Sequence, residues 1–257
     1  MQRALLNPRP SRGGEHTPTP PKNWLKKTNP DTSLPLEIAI GVTHIVLLVW
    51  ALQANKNNLN ADGIAYLRLA SYYADFRAPL MISGYWGPML SWLTAVWLKF
   101  GVPIMIAGRL SMLTSAIVYA WGARALLRAL SLPAWVQHAG FALTALCSVL
   151  WSIEFISPDL LVGGLICFAA ASMLNPDWTI ANKNRAISGV LWGMAYLAKA
   201  VALPIAFLLV PTIAVLWHWK PKQNSKQVFQ GVCLTLGTCV LVALPWIIVL
   251  SIHYGKP

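Results

Sequence analysis

Charged residues are scarce in this sequence, and acidic residues are the scarcest of them. Only 11% of the 257 residues are charged and 56% are hydrophobic, whereas about 25% of residues are charged in ordinary soluble proteins. The low charge and high hydrophobicity exclude a disordered chain, and the absence of heptads or longer repeats excludes fibrous and solenoid architectures. The composition is that of a membrane protein.

Several motifs of enzymes and metalloproteins are also missing. The sequence has no glycine-rich phosphate loop, no Gly-x-Ser-x-Gly and no His-Glu-x-x-His, which argues against nucleotide-driven transport, serine hydrolysis and metal hydrolysis. The cysteines have no Cys-x-x-Cys spacing and lie in hydrophobic segments, where we expect small buried side chains: Cys147, Cys167, Cys233 and Cys239. We predict no metal and no cofactor.

Long hydrophobic runs dominate what is present. Seven of them predict membrane-spanning helices, near residues 36–53, 103–123, 134–152, 159–174, 186–199, 201–217 and 228–250. An eighth run at 86–100 is shorter and could be a re-entrant or interfacial helix. The predicted fold is therefore all-α: a polytopic transmembrane helical bundle of about seven spans, with amphipathic interfacial helices in its first outer loop.

The basic residues set the predicted orientation. The net charge of +12 comes from 20 Lys and Arg against 8 Asp and Glu, and the basic residues form patches between the hydrophobic runs rather than one nucleic-acid-binding surface. Residues 1–35 are rich in proline and basic residues, which predicts a disordered cytoplasmic tail. We expect a multi-pass protein of the inner or plasma membrane with a cytoplasmic N-terminus, a transmembrane domain at 36–250 and no nucleic-acid partner.

The segment between the first two spans, residues 54–102, is predicted to lie on the outer side. An amphipathic helix is expected to begin there near Asp62 and to rest its apolar face on the membrane surface, because hydrophobic residues recur at helical spacing: Tyr66, Leu69, Ala70, Tyr73 and Phe76. With seven spans and a cytoplasmic N-terminus, the acidic residues Asp62, Asp75, Glu154 and Asp159 are also expected at the outer face.

Two of these carboxylates stand at helix starts and have two possible roles. Asp62 and Asp159 could each stabilise a helix N-terminus as a cap or through the dipole. Alternatively, they converge with a cation in one cavity, since ionisable groups near the membrane usually face a partner or a cavity. Lys199 is the candidate cation, although it could also extend to the interface from a helix end. Arg109 and Glu154 are weaker candidates that could pair with each other.

Four short segments then have a recognisable order along the chain. They are Asp62-Gly63-Ile64-Ala65-Tyr66-Leu67, Tyr85-Trp86-Gly87-Pro88-Met89-Leu90, Ser157-Pro158-Asp159-Leu160-Leu161, and Gly193-Met194-Ala195-Tyr196-Leu197-Ala198-Lys199. This order, over roughly residues 36–250, resembles the GT-C membrane glycosyltransferases, in the branch of the protein O-mannosyltransferases and the aminoarabinose transferases that modify lipid A.

The resemblance implies transfer of a sugar from a polyprenyl-phosphate donor to a lipid, glycan or protein acceptor at the outer face, with inversion at the anomeric carbon. It also implies that membrane lipids surround the protein. By resemblance, Asp62 is the general base, Asp159 a second carboxylate, and Lys199 and Arg68 contact the phosphate. The other substrate-binding residues implied are Tyr66, Tyr85, Trp86 and Glu154.

The sequence departs from this family in two respects. Many relatives have an acidic pair in the first outer loop, but Gly63 follows Asp62 here. Family members also have further spans and a soluble outer domain, whereas this sequence ends at 251–257, where we expect an outer loop to begin. The chain thus resembles an N-terminal half, and a C-terminal-half polypeptide is an expected partner. A non-catalytic scaffold and a secondary transporter are the alternatives.

Overall fold

The structure is a computed structural model that describes residues 34–219 and 224–255. Within these ranges the chain forms helices and no strands, so the predicted all-α class is confirmed for the described residues. Most of the predicted disordered tail, residues 1–33, lies outside them. The helices are α1 (Leu34–Ala54), α2 (Ala61–Ala74), α3 (Pro88–Lys99), α4 (Ile104–Ala129), α5 (Ala134–Glu154), α6 (Asp159–Leu174), α7 (Asn182–Ala198), α8 (Ala202–His218) and α9 (Ser225–Tyr254).

Several helices are suited to a bilayer. In the described part of the chain, α1, α4, α5 and α9 are long and apolar enough to cross a membrane, and α6 and α8 are apolar but only 16 and 17 residues long. A helix needs about 20 residues to cross the hydrocarbon core without local thinning. Membrane-spanning helices are therefore supported, while the number seven and the GT-C arrangement stay predictions.

The ambiguous run at 86–100 forms α3, a short helix that packs within the protein. Its 12 residues extend about 18 Å at 1.5 Å per residue, which is too short to cross a hydrocarbon core of about 30 Å. Leu90 and Thr94 are buried where α3 contacts α2 and α4. The run is thus a supporting helix and not an eighth span.

Helix α2 begins where the sequence predicts, but the membrane does not cover most of its apolar face. Tyr66, Leu69 and Ala70 are buried inside the protein, because α3 folds back against α2. Phe76 lies beyond the end of the helix at φ 54° and is 75% exposed. The predicted periodicity is correct up to Ala74. The prediction that the apolar face lies on the membrane surface is wrong, because periodicity identifies an apolar face and not what covers it.

Close helix contacts depend on glycine. A Cβ on Gly122 of α4 would lie 2.4 Å from the carbonyl oxygen of Gly164 on α6, and a Cβ on Gly189 of α7 would lie 2.4 Å from that of Thr235 on α9. Small residues allow helix backbones to approach in this way within membranes. These pairs hold α4 against α6 and α7 against α9.

Polar contacts gather at two ends of the bundle. At the first, which we call the Glu37 end, Glu37 of α1 meets Arg124 and Arg128 near the end of α4 and His138 near the start of α5. At the second, the Asp159 end, the starts of α2 and α6 lie near the ends of α5 and α7. The Asp159 end contains the predicted site residues.

Two smaller expectations are corrected. Residues 251–254, predicted as the start of a loop, continue α9 to Tyr254, whose hydroxyl accepts a hydrogen bond of 3.1 Å from the Gly84 backbone N–H. Cys147 and Cys233 are exposed on the outside of the bundle rather than buried, because their helices turn these positions away from their neighbours. An apolar exterior is expected where helices face lipid.

Candidate functional site

An acidic and a basic candidate form an ion pair at the Asp159 end. Asp159 is the first residue of α6, and Lys199 follows the last residue of α7 in extended backbone conformation, so the predicted helix break at Lys199 is confirmed. The Lys199 Nζ donates to Asp159 Oδ1 at 2.5 Å, and the two side chains are 46% and 37% exposed. The pair joins positions 40 residues apart and remains accessible.

Tyr66 lies in the same neighbourhood. Burial raises the pKa of the Tyr66 phenol, and the nearby carboxylates of Asp159 and Asp62 raise it further. The phenol therefore stays protonated and keeps its O–H as a hydrogen-bond donor at any physiological pH. Asp62 and Asp159 therefore both lie within electrostatic range of the Tyr66 hydroxyl.

The aromatic turn between α2 and α3 packs beside Tyr66. The Trp86 ring meets the Tyr66 ring edge-on at a centroid distance of 5.1 Å, and Tyr85 stands edge-on to Trp86 at 4.6 Å. A Cβ on Gly87 would lie 2.3 Å from the Ala198 carbonyl oxygen, so only glycine allows this turn to sit against the end of α7. The turn is thereby docked one residue before Lys199.

Asp62 is exposed in the first turn of α2 and has no hydrogen bond or ion pair within the described ranges. The preceding Asn60 does not cap the helix with its side chain; its Oδ1 accepts instead from the Ile156 backbone N–H at 2.8 Å. At the start of α6, Pro158 offers no side-chain cap either. No side-chain hydrogen bond caps the start of α2 or α6 in the described structure, so a capping role of the two aspartates is not supported. The helix dipole still favours both charges.

A buried arginine holds this arrangement together. Arg109 of α4 donates to the carbonyl oxygens of Ser152 at 2.5 Å and Ile153 at 3.1 Å, and to that of Asn58. The Asn58 side chain in turn donates to the Ile153 carbonyl at 3.1 Å. Arg109 and Glu154, which could pair by sequence, form no salt bridge among the described residues, although the charge of Glu154 still acts on the guanidinium. Arg109 instead ties the segment before α2 to the end of α5, which places Asp62 beside the start of α6.

Two predicted substrate-binding residues stand apart from the ion pair. Arg68 Nε donates to the Tyr72 hydroxyl at 2.6 Å on the exposed side of α2, and a separation of two residues turns it about 200° from Tyr66 around the helix. Glu154 is exposed and makes no ion pair among the described residues. Arg68 thus contacts Tyr72 and not the Lys199–Asp159 pair, and its contact with a phosphate stays a prediction.

Sequence reasoning missed the roles of Arg109 and Tyr254. A signal for Arg109 existed, since an arginine inside a hydrophobic run requires a buried partner. Its partners are backbone carbonyls, however, and every residue has one, so the sequence does not indicate which residues accept. Tyr254 had no signal, because the contact of its hydroxyl with Gly84 spans 170 positions.

The geometry suits charge stabilisation and proton transfer. Lys199 has three N–H donors and uses one on Asp159, so two remain for an anionic group. Asp62 is an unpaired carboxylate that can accept a proton. Within residues 34–219 and 224–255, no three His, Cys, Asp or Glu side chains group as metal ligands.

Comparison of the chain with protein-family models, with curated proteins and with solved structures found no match in any of the three.

Proposed function

We propose that this chain is an inverting glycosyltransferase that takes a sugar from a polyprenyl-phosphate donor. The acceptor is a hydroxyl of a lipid, glycan or protein at the non-cytoplasmic face. The proposal rests on the resemblance of the four ordered motifs and on one observation above all: the Lys199–Asp159 ion pair lies in the neighbourhood of an unpaired Asp62 and a buried Tyr66.

The distribution of charge supports this orientation. Arg124, Arg128 and Lys183 lie at or near the Glu37 end, which the positive-inside rule assigns to the cytoplasm. The Asp159 end is then on the outer face. A lipid-linked donor in the outer leaflet would reach this end from the side.

Each residue has a distinct task in the proposed reaction. Asp62 takes the proton of the acceptor hydroxyl, and the hydroxyl oxygen forms a bond to the anomeric carbon. The bond from that carbon to the phosphate oxygen breaks, and its electron pair leaves with the polyprenyl phosphate. Lys199 stabilises the charge that develops on this phosphate.

Asp159 and Tyr66 prepare the site for this step. Asp159 holds the Lys199 ammonium at 2.5 Å, which fixes the position of a long and otherwise mobile side chain. The Tyr66 hydroxyl stays protonated and offers one more donor toward a phosphate or sugar oxygen. Trp86 and Tyr85 supply aromatic surface beside it.

The test uses the full chain purified into nanodiscs and a panel of radiolabelled polyprenyl-phosphate sugars with an acceptor extract. We expect turnover of at least one donor, and we expect Lys199→Gln to lower the rate by about 100-fold or more, as loss of one electrostatic contact to a transition state does. Lys183→Gln is the matched control, because Lys183 is an exposed lysine at the opposite end of α7.

Binding and turnover distinguish the competing explanations. If the wild-type chain binds a donor without turnover, and adding a second polypeptide produces turnover, the protein is one part of a split enzyme with its donor site in this chain. Absence of binding for every donor contradicts the proposal and favours a scaffold or a transporter.

A further inference from the structure

A groove runs between α1 and α5 on the outside of the bundle. It has a volume of about 310 Å³ and an apolar lining, formed by Ala39, Ile40, Thr43, His44, Leu47, Ala142, Ala145 and Leu146. The two helices are joined behind it, since His44 Nε2 and Ser148 Oγ lie 2.8 Å apart. Because this bond fixes the spacing of α1 and α5, the groove is preformed.

The charged cluster of the Glu37 end lies at one mouth of this groove. Glu37 is one helical turn before Ile40, and His138 is one turn before Ala142, so both helices lead from the cluster into the groove. The Arg124 guanidinium stacks over the rings of Trp121 and Phe141 at 4.9 and 5.8 Å.

These rings connect the cluster to the lining of the groove. Phe141 and Ala145 are buried in one apolar group against which Ile40 and Trp121 pack. Ile40 and Ala145 also line the groove. The cationic cluster and the apolar groove therefore form one continuous surface.

The cluster has positive charge and hydrogen-bond donors to spare. One carboxylate, Glu37, faces two guanidinium groups, which leaves an excess of one positive charge before His138 is counted. Arg128 is 46% exposed and donates only from Nη2, at 2.6 Å to each Glu37 oxygen, so its Nε and Nη1 face no partner within the described ranges. The Arg124 Nε has no hydrogen-bond partner there either.

We infer that this surface binds an anionic phospholipid. The phosphate contacts Arg128, with its charge balanced by the excess of the cluster, and one acyl chain lies in the groove between α1 and α5. Basic pockets between helices at the cytoplasmic side are suited to anionic headgroups, and a groove of this size and apolar lining is suited to a chain. The inference is independent of the proposed glycosyl transfer, since its residues lie at the opposite end.

Native mass spectrometry of the delipidated full chain tests the inference with phosphatidylglycerol and phosphatidylcholine as probes. We expect phosphatidylglycerol to bind about fivefold more tightly, the difference that one basic residue near a lipid surface provides. Arg128→Gln should remove this preference, whereas Lys183→Gln should retain it, because Lys183 is an exposed cation on another helix.

A second pair of variants tests the groove without disturbing the charges. Ala142→Trp fills the groove and should abolish the tight adduct, while Leu143→Trp places the same side chain at a neighbouring position that is 62% exposed and does not line the groove. Equal binding of the two lipids, equal effects of the two tryptophan variants, or full competition by glycerol phosphate alone would each overturn the inference. The last result would indicate a site for a free anion and not for a lipid.

Discussion

The two polar ends of this bundle contain the same kinds of groups in opposite states. At the Glu37 end one carboxylate is 6% exposed and is bound by two arginines, whereas at the Asp159 end the Asp159 side chain is 37% exposed and is bound by one lysine. Asp62, close by, is unpaired within the described residues. A buried carboxylate that is saturated by two arginines holds helices together, while an accessible and incompletely paired carboxylate can serve a substrate.

The largest expected effect on stability lies at the Glu37 end. Glu37→Gln would leave Arg124 partly buried beside an uncharged group, and breaking a buried pair in this way costs about 3 kcal/mol. Thermal unfolding in detergent should report a marked loss, with sugar transfer retained by the protein that remains folded. A stability like that of wild type would contradict a structural role for the cluster.

Gly87→Ala should have the next largest effect. The added Cβ would meet the Ala198 carbonyl oxygen at 2.3 Å, and overpacking of this kind costs about 1–3 kcal/mol. Because the turn must move away from Lys199, we expect the loss in donor-binding free energy to exceed the loss in the free energy of unfolding. Gly237→Ala is the control, as a Cβ there meets nothing within 4 Å, and equal losses in both variants would refute the docking of the turn.

Asp159→Asn should separate stability from activity. The Lys199–Asp159 pair is partly exposed, and such pairs contribute less than about 1 kcal/mol. Unfolding should therefore change little, whereas turnover should fall because Lys199 loses the group that positions it. A large destabilisation with normal turnover per folded molecule would make this end structural as well.

The smallest effect is expected at Arg68. Its guanidinium contacts Tyr72 on the same exposed side of α2, so Arg68→Gln should change stability by about 0.5 kcal/mol or less, as surface substitutions do. Donor affinity, measured with the same labelled sugars, should match wild type. A loss of affinity comparable to that of Lys199→Gln would restore Arg68 to the phosphate site.

The sequence predicted the elements better than their contacts. The starts of α2 and α6, and the break at Lys199, follow from local signals: a proline, an acidic first turn and an interrupted hydrophobic run. The meeting of Lys199 with Asp159 was predicted because a charge at the membrane requires a partner. The backbone contacts of Arg109 and the packing of α3 over α2 were not predictable. Both depend on other segments of the chain, and no local sequence pattern indicates which segments these are.

The comparison of the two ends is tested most directly by one measurement: transfer of a labelled sugar from a polyprenyl-phosphate donor by Asp62→Asn beside Asp75→Asn, both in nanodiscs. Asp75 is a second exposed aspartate, just after α2, that pairs with Arg77 at 2.9 Å. We predict that Asp62→Asn abolishes transfer with folding intact and that Asp75→Asn leaves transfer unchanged. Equal rates in the two variants would contradict the assignment of the catalytic base to the Asp159 end.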